Sequence, residues 1–167
     1  MIVAFTDSVQ ATRQVAAAVA ELVRPGDIIL LTGDLGAGKT AFAQGFGAEL
    51  GITEPITSPT YVLVHTYDEG RLLLNHLDVY RLEQVDEALD IGLAELLDDG
   101  GVTLIEWGDT IIPVLAADYL EIRLHLGETD DERRLEIECV GPRWAARTRA
   151  LQTGLGPWLG TTPDGSL

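Results

Sequence analysis

The sequence contains one cysteine, Cys139, so no disulfide can form within the chain. Cys139 lies in a strand-like run, where we expect a buried, unreactive thiol. The histidines, His65, His76 and His125, do not have the spacing of zinc ligands, either among themselves or with the cysteine. These features predict a protein of the reducing cytoplasm without a zinc site.

Basic residues are also scarce, with 11 Lys and Arg against 27 Asp and Glu and a net charge of −16. Such a surface repels bare phosphate backbone, so tight, direct binding to nucleic acid is not expected. The charge is most simply explained as a solvated acidic surface. No apolar run reaches the ~18 residues of a membrane span. The N-terminus lacks the basic region of a signal peptide.

A strand–loop–helix pattern occupies residues 27–44. An apolar run, 27–32, precedes Gly-Asp-Leu-Gly-Ala-Gly-Lys-Thr (33–40), and a helical pattern follows. This is the P-loop, or Walker A, pattern in its required context. Glycines allow backbone N–H groups to converge on phosphate oxygens, and the helix N-terminus adds partial positive charge. We expect Lys39 to reach the β- and γ-phosphates of a nucleotide and the Thr40 hydroxyl to bind Mg²⁺. The alternative is a glycine-rich turn that binds nothing. The residues predicted to bind nucleotide are Gly33, Asp34, Leu35, Gly36, Ala37, Gly38, Lys39, Thr40 and Ala41.

The rest of the sequence alternates helical and strand patterns. A first helix, capped by Asp7 or Ser8, should end at Pro25-Gly26, and the helix after the loop should end at Gly51. The other predicted elements are a hairpin (60–67 and 71–78), a helix (85–97), a strand (102–105), a second hairpin (119–126 and 134–140) and a last helix (143 to about 152). We therefore predict one P-loop NTPase-like α/β domain, residues 1–153, with a mixed central sheet and β-hairpins. Residues 154–167 are predicted to be a flexible tail.

Two acidic residues end apolar strands, Asp78 and Glu106. Ligands of open α/β sheets bind at strand carboxyl ends, so both are candidates for magnesium binding or catalysis. Each could instead be a solvated carboxylate or a cap. By analogy with small G proteins, Ser58-Pro59-Thr60 would be a switch segment in which Thr60 senses the γ-phosphate. Residues 75–78 only superficially resemble a guanine-binding motif, so ATP is favoured.

Four motifs occur in order: the loop at 33–40, Ser-Pro-Thr-Tyr (58–61), His-Leu-Asp-Val-Tyr-Arg-Leu (76–82) and Ile-Glu-Trp-Gly (105–108). Together they resemble the TsaE (YjeE) family of bacterial ATPases, from about Phe5 to Val140. The resemblance implies an Mg-ATP-dependent ATPase needed to make threonylcarbamoyladenosine at position 37 of tRNA. Such a protein would act on the TsaB–TsaD pair, contact tRNA only through that complex, and not perform the transfer itself. ATP hydrolysis would be weak alone, stimulated by partners, and would reset the complex between turnovers.

The same resemblance assigns residue roles. Thr40 and Glu106 would bind Mg²⁺, while Asp78 and Thr60 would be needed for turnover together with Lys39. Trp107 would lie near the nucleotide or a partner face, although a core aromatic is an equal alternative. The resemblance also implies roles for two further positions. Residues 10–12 would lie near the adenine, and Arg134 would approach the nucleotide unless it is a solvated strand arginine.

Two other classes of function remain open. A small-molecule kinase could use the same loop, although such kinases usually have an arginine-rich lid and this chain has few arginines. A nucleotide-gated binding module would bind ATP without hydrolysing it. A phosphorylated metabolite would favour the kinase, and ATP bound without release of ADP would favour the module.

Overall fold

The computed structural model describes residues 1–58, 64–79, 92–107, 112, 115 and 118–160. The strands of this part of the chain are β1 (Ile2–Thr6), β2 (Ile28–Gly33), β3 (Val64–Tyr67), β4 (Leu74–Asp78), β5 (Val102–Glu106), β6 (Tyr119–Leu126) and β7 (Arg133–Val140). The helices are α1 (Val9–Ala20), α2 (Lys39–Glu49), α3 (Leu93–Leu97), α4 (Pro142–Ala145) and α5 (Thr148–Gly154), followed by a 3₁₀ turn at Gly156–Trp158.

The described strands form one mixed sheet in the order β1-β7-β6-β2-β5-β4-β3. The central strand, β2, runs parallel to β5 and β6, and β4 runs parallel to β5. The pairs β3–β4 and β6–β7 are antiparallel hairpins, and β1 is antiparallel to β7. The predicted α/β fold with a mixed sheet and two hairpins is confirmed. This topology places the carboxyl ends of β2, β4 and β5 at one edge.

The two faces of the sheet bury different clusters because neighbouring residues of a strand point to opposite sides. Ile29 and Leu31 of β2 pack with α1 and α2 in the larger cluster. Ile28 and Leu30 pack on the other side with Leu93 of α3. Each such fully buried side chain contributes about 1.5–3 kcal/mol, so the strand that precedes the glycine-rich loop is held from both sides.

Helix boundaries follow local signals where those signals are strong. The Ser8 hydroxyl accepts a hydrogen bond from the Ala11 N–H, which selects Ser8 over Asp7 as the cap of α1. This helix ends at Ala20, earlier than predicted, and turns carry the chain to Pro25. Gly51, with φ +91°, follows α2 as expected. Of the predicted helix 85–97, residues 92–97 are described: α3 begins at Leu93, and Gly92, at φ +80°, precedes it as the N-cap rather than continuing a helix.

The C-terminal region differs from the prediction. The expected single helix is two, α4 and α5, and the break falls at Arg147, whose guanidinium is drawn into a buried pair with Asp27. The predicted flexible tail is wrong for its described part, because Leu155 is fully buried and Leu159 bridges to Ala4 of β1. Residues 161–167 lie outside the described residues, so the prediction stays untested there.

Candidate functional site

Residues 33–38, the glycine-rich loop, connect β2 to α2 in a conformation that needs its glycines. Gly36 and Gly38 have φ values of +81° and +105°, in the left-handed region that favours glycine. Gly33, at φ +142°, could not carry a side chain, since a Cβ there would lie 2.4 Å from the Leu124 carbonyl oxygen. At these three positions the loop therefore presents backbone rather than side chains. Thr40 and Ala41 form the first turn of α2 immediately after it.

The ammonium group of Lys39 closes the glycine-rich loop. Lys39 is the first residue of α2 and is 6% exposed. Its Nζ donates hydrogen bonds to the carbonyl oxygens of Gly33 at 2.8 Å and Asp34 at 2.9 Å. It also lies 4.0 Å from the centre of the Trp107 ring, a cation–π distance. Lys39 is the sole lysine of the sequence.

Three carboxylates act electrostatically on that ammonium group. Burial lowers the pKa of Lys39, and the charges of Glu106, Asp78 and Asp34 act in the opposite direction. The sequence predicted that Lys39, Asp78 and Glu106 would share one site, and the structure places them together.

Asp78 and Glu106 are the last residues of the adjacent parallel strands β4 and β5 and are register partners. Asp78 is 8% exposed and Glu106 2% exposed, so neither is the solvated surface carboxylate of the alternative interpretation. The Ser58 hydroxyl donates to Asp78 at 3.1 Å, which connects this carboxylate to the start of the 58–60 segment. Thr60 itself lies outside the described residues, and its predicted role stays a prediction.

His76 is a site residue that the sequence reasoning did not identify. It is fully buried, and its Nε2 lies 2.9 Å from the Oε1 of Glu106. A carboxylate only accepts hydrogen bonds, so Nε2 carries the proton of this contact. The other ring nitrogen, Nδ1, has no hydrogen-bond partner among the described residues. The signal was present in the sequence, since His76 precedes Asp78 by two residues and must share its face of the strand.

Trp107 directly follows Glu106 and has φ +61°, a rare value for a bulky residue. Its N–H donates to the Leu31 carbonyl at 2.8 Å, and its half-buried ring packs against the smaller core cluster while covering Lys39. The ring is therefore a core contact, as one of the two interpretations from the sequence proposed, and it also covers Lys39. A position near a nucleotide or a partner face stays a prediction. Strained backbone of this kind often occurs at functional sites.

The second hairpin contributes an arginine, but it is not the predicted one. Arg134 pairs with Glu136 at 2.6 Å on the sheet face opposite α1 and α2, as the solvated-arginine alternative proposed. The neighbouring Arg133 instead donates to carbonyl oxygens of the glycine-rich loop, to Ala37 at 3.0 Å and Gly36 at 3.2 Å. Strand alternation could have found it, because Arg133 shares a face with Leu135 of the larger core cluster.

Residues 10–12, predicted near the adenine, begin α1 beside the loop. Thr12 is buried, bonds to the Thr6 hydroxyl at 2.9 Å, and has its methyl group 3.9 Å from the position of a Cβ on Gly38. Thr12 therefore lies beside the loop. Contact with an adenine stays a prediction.

The described residues contain no group of three or more His, Cys, Asp or Glu side chains placed to hold a metal ion. Two carboxylates and a hydroxyl are nevertheless a fitting donor set for Mg²⁺, which keeps several waters and takes other oxygens from substrate phosphates. None of the helices in this part of the chain is long and apolar enough to cross a bilayer.

Comparison with known proteins agrees with this arrangement. Residues 6–135 match the family model described as "Threonylcarbamoyl adenosine biosynthesis protein TsaE". The tRNA threonylcarbamoyladenosine biosynthesis protein TsaE of Bacillus subtilis is 43% identical over 133 residues, which cover 80% of this chain and 82% of that protein. The Streptomyces coelicolor protein of the same name is 36% identical over 149 residues, covering 85% and 99% respectively. The crystal structure of Bacillus subtilis YdiB superposes with a TM-score of 0.79 at 33% identity, covering 92% of this chain and 97% of that one.

Proposed function

The chain belongs to the TsaE family of tRNA threonylcarbamoyladenosine biosynthesis proteins, and we propose that within this pathway it binds and hydrolyses Mg-ATP. One observation carries the proposal. The chain's sole lysine directly follows a glycine-rich loop, donates to two of its carbonyl oxygens, and is buried within the electrostatic influence of two carboxylates that end adjacent parallel strands. Such an arrangement fits a phosphate chain with a divalent cation better than any uncharged ligand.

Each residue of the site has a role that follows from its chemistry. The loop N–H groups and Lys39 would bind the phosphates, and the Thr40 hydroxyl and Glu106 would hold Mg²⁺. Bound Mg²⁺ would offset the negative charge of the phosphates. Asp78, joined to Ser58, is the second carboxylate available to orient a water molecule. Trp107 would shield the ammonium group from solvent on one side.

We also propose that the protein is an accessory subunit rather than the transferase. The family resemblance implies TsaB and TsaD as partners. The net charge of −16 disfavours direct binding to tRNA. Arg133 contacts the glycine-rich loop, but its guanidinium donates to the backbone carbonyls of Ala37 and Gly36. It is therefore not disposed as an arginine finger, a group that can supply ~10³–10⁵ in rate. Slow hydrolysis by the isolated chain and stimulation by the partner pair are therefore expected.

The test measures ATP turnover and ADP affinity with and without the purified TsaB–TsaD pair. Wild-type protein should bind ADP and hydrolyse ATP slowly alone and faster with the pair. Lys39→Ala should bind ADP roughly a hundredfold more weakly, while Arg149→Ala, at an exposed position on α5, serves as the control. Fast hydrolysis by the isolated chain that ignores the pair would contradict the proposal. Transfer of phosphate to a metabolite would favour a kinase, and binding without any hydrolysis a nucleotide-gated module.

A further inference from the structure

The guanidinium of Arg133 joins the β6–β7 turn to the glycine-rich loop. Its Nε and Nη2 donate to the carbonyl oxygens of Ala37 and Gly36, at 3.0 and 3.2 Å. Its Nη1 donates to the carbonyl oxygens of Asp130 and Glu132, at 2.6 and 2.7 Å. All four acceptors are backbone carbonyl oxygens, two in the glycine-rich loop and two in the β6–β7 turn. One planar side chain therefore links two turns that are far apart in the sequence. The fork of donors on arginine suits this task, which the single ammonium of lysine cannot reproduce.

These contacts fix the orientation of two peptide groups. The carbonyl and the N–H of a trans peptide point in opposite directions. Holding the Ala37 carbonyl toward Arg133 therefore turns the Gly38 N–H away from β7. Holding the Gly36 carbonyl in the same way turns the Ala37 N–H away, and that N–H donates to the Asp34 carbonyl at 3.0 Å. Both peptides adjoin a glycine, so without such a restraint they would reorient easily.

Arg133 also brings an unneutralised charge to the loop. Among the described residues it forms no ion pair with a carboxylate, whereas Arg134 pairs with Glu136 and Arg123 with three glutamates. A free positive charge beside backbone N–H groups raises the affinity of a site for anions.

We propose that Arg133 is a positioning residue of the phosphate site. Its bond to the Ala37 carbonyl orients the peptide 37–38 so that the Gly38 N–H is available to phosphate before the ligand arrives. Its bond to the Gly36 carbonyl, together with the Ala37 N–H bond to Asp34, holds the preceding turn. The inference rests on the proposed nucleotide binding and adds to that site a residue of the β6–β7 hairpin. Preorganisation of donors lowers the cost of ordering them on binding.

The chain offers a matched control at the next position. Arg134 has the same side chain on the same strand, but it faces away from α1 and α2 and pairs with Glu136. Arg133→Ala, Arg133→Lys and Arg134→Ala should therefore be compared with wild type. Isothermal titration calorimetry with ADP and with inorganic pyrophosphate measures affinity, and thermal unfolding monitors the fold. Amide hydrogen exchange by NMR measures the order of Gly38 and Lys39 without nucleotide.

Arg133→Ala should weaken both ADP and pyrophosphate by roughly tenfold or more, the effect of one hydrogen bond to a charged group. The Gly38 and Lys39 amides should exchange faster in that variant. Arg133→Lys, which keeps the charge but not the fork, should recover part of the affinity but little of the protection of the Gly38 and Lys39 amides. Arg134→Ala should match wild type in both measurements.

Wild-type affinity and exchange in Arg133→Ala would overturn the assignment. So would full recovery in Arg133→Lys, since charge alone would then explain the effect. If Arg133→Ala fails to fold, Arg133→Lys decides, because it keeps the aliphatic stem. Absence of ADP and pyrophosphate binding by wild type would refute the proposed function instead, and the exchange comparison would still show whether Arg133 orders the loop.

Discussion

Replacing Lys39 by alanine is expected to separate nucleotide binding from folding. The ammonium group donates two hydrogen bonds within the loop, to the carbonyl oxygens of Gly33 and Asp34. Asp34 is exposed, so water can replace part of what the variant loses. Removing the buried amine also removes the free-energy cost of keeping its charge out of water, which offsets part of the loss. We therefore expect a loss of no more than about 2 kcal/mol in the free energy of unfolding.

The effect on nucleotide affinity should be larger. If the ammonium group exchanges its two carbonyl acceptors for phosphate oxygens, two charge-assisted bonds of at least about 1.5 kcal/mol each are lost in the variant. The total of about 3 kcal/mol corresponds to roughly a hundredfold weaker binding. With ADP at a hundred times the wild-type Kd, ligand stabilises wild type by about 2.7 kcal/mol but Lys39→Ala by only about 0.4 kcal/mol. The expected Tm increases are about 5–11 °C and about 1–2 °C, respectively.

Calorimetry with ADP in Mg²⁺ buffer, combined with thermal unfolding, measures both quantities. Because Lys39 is the sole lysine, reductive ¹³C-methylation also labels one side chain, apart from the N-terminal amine. ADP should shift the NMR signal of that labelled lysine. An unchanged ADP affinity in Lys39→Ala, or a lysine signal that saturating ADP leaves in place, would refute the reasoning.

Three further predictions concern the carboxylate site, the C-terminal anchor and the exposed sheet face. Glu106→Gln should retain ADP binding but require about ten to a hundred times more Mg²⁺ for turnover, measured by titrating Mg²⁺, because the carboxylate charge is lost; an unchanged Mg²⁺ requirement would exclude Glu106 as a ligand. Asp27→Ala should lower the free energy of unfolding by about 3–5 kcal/mol in a denaturant titration, since it leaves the buried Arg147 unpaired, and a loss below about 1 kcal/mol would contradict this. Burial tends to raise the pKa of Glu136, but neighbouring cations including Arg134 lower that pKa overall. The stability that the Arg134–Glu136 pair contributes is therefore fully present above the unfolded pKa of ~4.3. It is lost as pH falls through the lower pKa of the folded state. Arg134→Ala should therefore cost under about 1 kcal/mol at pH 7 and progressively less as pH falls below ~4.3, and a loss that does not change with pH would argue against an electrostatic origin.

Much of the fold could be predicted because it depends on residues close together in the chain. The β2–loop–α2 unit was predicted from its apolar run, glycines and helical pattern. The cap at Ser8 and both hairpins also follow from short-range signals. Asp78 and Glu106 were found in the same way, since each visibly ends an apolar strand. Short-range patterns could not give the break at Arg147, because its partner, Asp27, lies 120 residues away in sequence.

The sequence by itself determined the loop, its lysine and the two strand-end carboxylates, because local backbone chemistry and strand alternation specify them. Only the tertiary structure decided which other side chains reach them. Sheet order and register bring His76 to Glu106 across 30 residues and Arg133 to Ala37 across 96. Arg133 and Arg134 are the same residue type in adjacent positions, and they differ in role because the pleat of β7 directs one toward the loop and the other toward Glu136.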